Sequence, residues 1–152
     1  MKNIKCNTVT PYLDIKEIGV ITFQKALGLI EAHPWEESEE LLEKDDELHP
    51  TYIQFMAEKD NNSSLDIYCS NNEFAITVVA VKKPHYFWFL AKEVFFVVSS
   101  LNKIQAIEII EKFFKNDINQ FYEWAKPEEK RQSKLNRQTR RYFSIINEYI
   151  IS

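Results

Sequence analysis

His33, His49, His85, Cys6, Cys69 and a dense run of carboxylates are the groups in this chain best suited to chemistry. His33 and His49 bracket the stretch HPWEESEELLEKDDELHP and, with a carboxylate such as Glu36, supply ligand types that suit a divalent cation. Neither histidine belongs to a metal-motif spacing, and each precedes a proline, so loop or cap positions are expected and no metal site is assigned. His85 lies in KKPHYFWF at the entrance to the most aromatic stretch, where His85, Tyr86 and Trp88 outline a ligand pocket. Cys69 and His85 have the residue types of a nucleophilic couple but no local signature. Asp66 and Glu93 are isolated acids without a visible partner. No catalytic residue and no cofactor follows from this set.

The glycine content sharpens the exclusion. Gly19 and Gly28 are the only two glycines, and neither sits in a phosphate-cradling pattern. A P-loop, a dinucleotide fingerprint and a nucleophile elbow each need several glycines for tight turns or close backbone approach. The two cysteines are too few for a disulfide framework and match no zinc motif, so they read as free thiols.

Charge is distributed unevenly. From Glu31 to His49 there are nine acids and one lysine, whereas residues 126–141 carry seven bases and two acids, against a net charge of −4 for the chain. Lys130, Lys134, Arg137 and Arg141 recur at helical spacing and could follow a phosphate backbone, but the acidic total argues against nucleic acid. The acidic stretch has three uses: a solvated helix face, a counterpart of the basic segment, or a surface for a basic protein partner. Clustered charge favours association rate and partner choice, and an aromatic neighbour supplies an anchor. The partner surface comprises Trp35, Glu36, Glu37, Glu39, Glu40, Glu43, Asp45 and Asp46.

The elements that must position these groups divide into helices and strands. Ile4–Thr10 reads as a strand stopped by Pro11, and Gly19 as a break before a helix capped by Thr22, with Phe23, Ala26, Leu27 and Ile30 on one face. Pro34 ends that helix and opens a second, whose stop falls near Lys44. Residues 51–100 then alternate in short β-branched and aromatic runs (TYIQFMA, LDIYC, EFAITVVAV, YFWFLA, EVFFVVSS), an antiparallel meander of about five strands. Asn102 and Gln105 form a capping-box pair that opens a helix with Ile104, Ile107, Ile110, Phe113 and Phe114 along its buried side. NDINQFYEWA adds a short helix, and Pro127 opens a C-terminal helix over 127–152 that projects in part.

The expectation is one α+β domain over residues 1–152, with helices before and after the meander. No signal peptide or membrane span is visible, and a cytoplasmic, bacterial-type binding protein follows. The leading implication is a non-enzymatic module that binds a basic partner, in the style of an immunity or antitoxin-like inhibitor. The alternatives are a small-molecule binder or enzyme using the aromatic pocket, and a structural homodimer through the doubly apolar last strands.

Overall fold

The computed structural model describes residues 3–57, 63–82, 92–131 and 134. Within them six strands form one antiparallel sheet: β1 (Ile4–Val9), β2 (Ile15–Ile21), β3 (Tyr52–Ala57), β4 (Ser63–Ser70), β5 (Glu73–Lys82) and β6 (Lys92–Leu101). Their spatial order is β2-β1-β3-β4-β5-β6. Helices α1 (Phe23–Ala32) and α2 (Trp35–Lys44) precede β3, while α3 (Lys103–Lys115) and α4 (residues 118–131) follow β6. The α+β architecture with helices before and after a meander is therefore present, and the six-stranded sheet includes one strand that the alternation does not suggest. His85, Tyr86 and Trp88, with the expected strand YFWFLA, lie outside the described residues, as does nearly all of 132–152.

The additional strand is β2. Gly19 does not break the chain; it sits inside β2 at φ 89, beside a register shift opposite Cys6 and Asn7. A glycine at positive φ is what such a bulge requires. The bulge interrupts the in–out alternation of an edge strand, so periodicity alone does not reveal it. The β4–β5 connection is plainer: Asn71 and Asn72 both have positive φ between the paired Ser70 and Glu73, the geometry of a two-residue hairpin turn that asparagine tolerates.

The helices start where their caps allow. The Thr22 side chain accepts from the Lys25 amide, and Asn102 with Gln105 forms a complete capping box, although Ile104 in the first turn is exposed and the buried side of α3 is Ala106, Ile110 and Phe113. Asp117 and Gln120 repeat the reciprocal arrangement at the start of α4. That helix runs through Pro127 without a break. An interior proline removes one backbone bond and costs about 3 kcal/mol; burial of Phe121, Tyr122 and Ala125 on α4 offsets it.

One face of the sheet carries the core. Ile4, Cys6, Ile53, Phe55, Leu65, Ile67, Ile76, Val78 and Val94 are fully buried or nearly so. An aromatic relay spreads from them: Phe55 meets Phe114 at 5.3 Å, Phe113 meets Phe121 at 5.2 Å, and Trp124 reaches Phe96 at 6.2 Å. Edge-on rings of this kind add specific geometry to area burial. Burial pushes the Cys6 thiol up to about 11, so it packs as an inert apolar group. The last strand splits its residues: Val94, Phe96 and Val98 enter the core, while Phe95 and Val97 point outward and are exposed. No helix among the described residues is long and apolar enough to cross a membrane.

The opposite face carries a polar row through Asn7, Gln54 and Asp66, which are cross-strand neighbours. Asn7 donates to Gln54 at 3.4 Å, and the Gln54 side chain hydrogen-bonds Asp66. The second Asp66 oxygen is buried and has no partner among the described residues. Burial raises the Asp66 pKa, against the lowering effect of Gln54.

Two stability outcomes follow. Phe113→Ala should cost about 3–5 kcal/mol in chemical denaturation, the range for removing a fully buried ring. A raised folded-state pKa means that Asp66 contributes its stability below the unfolded value, and that this is lost as pH rises through the folded one. Asp66→Asn should therefore be more stable than wild type near neutral pH, the gap closing below about pH 4. Denaturation at both pH values checks the sign.

Candidate functional site

The site is built around the corner between α1 and α2. Placing His33 before Pro34 forces extended geometry, observed at φ −71 and ψ 135, so α1 must stop at Ala32. Pro34 then serves as the N-cap of α2, whose first turn carries Glu36 and Glu37 at the positive end of the helix dipole. The helix ends at Lys44, as the sequence suggests, and Asp45 closes it with a backbone bond to the Leu41 carbonyl.

Thr51 fastens this corner to the sheet. Its hydroxyl donates to the Val9 carbonyl at 2.6 Å, and its amide donates to the Ser38 hydroxyl oxygen at 3.2 Å. His33 Nε2 lies 2.9 Å from the same Thr51 oxygen. A carbonyl only accepts and a threonine hydroxyl has one proton, so His33 Nε2 must carry the hydrogen and donate it. Burial lowers the His33 pKa, which leaves a neutral ring with Nδ1 bare. Its ring lies 4.2 Å from the Trp35 ring, centroid to centroid, with the two planes tilted by 54°.

Trp35 is half-buried. Its indole N–H donates to the Ile30 carbonyl at 2.9 Å, and its ring meets Phe74 edge-on at 6.4 Å. The indole therefore ties α2 to α1 and β5 while still lining a groove of about 820 Å³. Glu36, Glu37, Glu39, Glu40 and Glu43 line the same groove, joined by Glu31 from α1. Across from them stand Cys69, Asn71, Asn72 and Phe74 around the β4–β5 turn, and the only cation lining the groove among the described residues is Lys103.

Lys103 is already committed to Glu31 at 2.9 Å. Glu39 accepts from the Asn71 amide and so holds the turn against α2. Glu36, Glu37, Glu40 and Glu43 form no ion pair among the described residues. At spacings of three and four, Glu36, Glu39, Glu40 and Glu43 repel one another, and each such pair costs a few tenths of a kcal/mol. The groove thus concentrates uncompensated negative charge beside an aromatic floor.

Of the expected partner surface, Trp35, Glu36, Glu37, Glu39, Glu40 and Glu43 come together here. Asp45 and Asp46 lie beyond the end of α2 and do not line the groove; Asp45 instead accepts from the Glu47 amide. In the described part of the basic segment, Arg131 pairs with Glu128 of its own helix, and Glu129 accepts from the Phe95 amide at the edge of β6. His49 does not join His33 and Glu36 in a ligand set; its Nδ1 donates to the Pro50 carbonyl. No three metal-ligating side chains converge among the described residues. Burial, reinforced by the Glu39 charge, raises the Cys69 pKa, so its thiol is a poor nucleophile in this setting. The residues that sequence reasoning missed are those of the far wall, Asn71, Asn72, Phe74 and Lys103. Only chain pairing brings them opposite α2.

The corner yields a pH prediction. A histidine whose folded pKa is depressed gives stability that is present above about pH 6.5, the unfolded value, and is lost as pH falls through the folded one. Thermal midpoints should therefore drop as pH falls below that value, and His33→Gln should flatten the dependence. Thr51→Val should cost about 1–3 kcal/mol at any pH, because it leaves Val9, an acceptor, and His33, a donor, unsatisfied. No family model matches the chain, and neither does any curated protein or solved structure.

Proposed function

We propose that this protein is a recognition module that binds a basic protein partner in the groove between α2 and the β4–β5 turn, in the manner of an immunity or antitoxin-like inhibitor. The observation that carries the proposal is the charge balance of that groove: six glutamates against one lysine, which is itself paired. A helix that keeps four mutually repelling glutamates on one concave surface gives up stability for potential. Such a field speeds association with a cationic surface and selects among partners. The fixed Trp35 ring supplies an apolar floor against which an arginine guanidinium or a lysine stem can lie.

The poor nucleophilicity of Cys69 and the structural use of His33 and His49 favour binding over catalysis. A cluster of carboxylates open to water suits long-range attraction better than acid–base work, which needs a carboxyl held in an apolar pocket.

The test is affinity capture from lysate of the source organism after nuclease treatment, comparing wild type with Glu36→Lys/Glu40→Lys/Glu43→Lys. Glu39 is left in place because it holds the Asn71 amide. Wild type should retain one stoichiometric basic protein at about 0.15 M salt, and the variant should lose it. A partner retained equally by both would remove the groove from the account. The neutral variant Glu36→Gln/Glu40→Gln/Glu43→Gln should melt no lower than wild type, since it relieves repulsion.

A further inference from the structure

We propose that the partner also uses a second, apolar groove on the other side of the Pro34 corner: it presents an amphipathic basic segment whose lysines or arginines lie along α2 while a large apolar side chain seats beside the β1–β2 hairpin. This rests on the acidic groove being the partner site and names the chemistry of what fills it. The second groove holds about 470 Å³ and is walled by Val9, Tyr12, Ile18, Leu29 and Leu41. It shares His33, Pro34 and Glu37 with the acidic groove, so one continuous ligand can touch both.

Three features select a polypeptide as the occupant. Apolar surface does not stop at the groove: Tyr12, Leu13 and Ile15 are 63%, 59% and 66% exposed around the hairpin. Contiguous apolar exposure of this kind marks an interaction surface and extends past what a small molecule would cover. Charge completes the match, because Asp14 and Glu37 outnumber Lys16 around this groove and the neighbouring groove is strongly acidic. The shared corner is also stiff. Pro34 and the Thr51 bonds to Val9, His33 and Ser38 hold the two grooves in a fixed relation, which limits the ordering cost of binding across them. Leu13 sits at φ 63, a conformation glycine would adopt more easily, yet a large exposed side chain occupies it.

The experiment uses two short synthetic peptides with the same number of lysines, one alternating them with leucine and serine, the other with serine alone. Each is titrated calorimetrically into wild type and into Tyr12→Ser/Leu13→Gly. Both side chains are more than half exposed, so the variant keeps the fold, and a thermal melt checks this. Wild type should bind the leucine peptide roughly tenfold more tightly or better, the scale of one large apolar side chain leaving water. The variant should lose most of that preference and keep its affinity for the serine peptide. Equal affinities for the two peptides, or a preference untouched in the variant, would overturn the apolar half alone. Binding of neither peptide would overturn the acidic groove as well. An apolar dye held in the groove and not displaced by the leucine peptide would assign it to a small molecule instead.

Discussion

The Thr51 hydroxyl is the point on which the site depends. It spends its proton on the Val9 carbonyl and receives one from His33, while its amide holds Ser38. Those bonds join the first strand, the α1–α2 corner and the third strand into one unit. Pro34 removes a backbone donor and turns the chain, and the Thr51 bonds act there together with the Trp35 indole bond to the Ile30 carbonyl to fix the direction in which α2 leaves α1. With the corner pinned, Trp35 is brought against Phe74, and the glutamates of α2 are held facing the β4–β5 turn. Both grooves border that corner and share His33 and Pro34.

Beyond the corner, the molecule divides its tasks between two ends. Phe113, Phe121 and Trp124 of α3 and α4 bury the sheet under rings, and this half is concerned with stability. The half around α2 is thinly packed by comparison: among its ten residues only Ser38 is buried, and that residue serves Thr51. A helix held by its ends and by hydrogen bonds, with most of its surface in water, is suited to presenting charge. Two of its three large apolar side chains, Trp35 and Leu41, line one groove each.

Much of the fold is legible from local chemistry. Thr22, Asn102 and Pro34 announce their helices because capping and proline geometry act within a few residues. The alternation of β3, β4 and β5 is equally readable, since one face is buried and the other is not. What escapes is whatever depends on distant pairing. β2 is hidden because its bulge at Gly19 breaks the alternation, and α4 passes through Pro127 because burial of its aromatic face outweighs a local rule. The acidic wall of the groove is visible in the sequence, but Asn71, Phe74 and Lys103 face it only through the sheet and α3.

In the proposed function, cationic protein surface binds against α2. The most direct measurement is a titration of isotope-labelled protein with the lysine–serine peptide, followed by backbone amide resonances. Shifts should concentrate at Trp35–Lys44 and at the Asn71 amide, which Glu39 holds, and should collapse as salt rises. Shifts spread evenly over the surface, or centred on Phe95 and Val97 of β6, would contradict it.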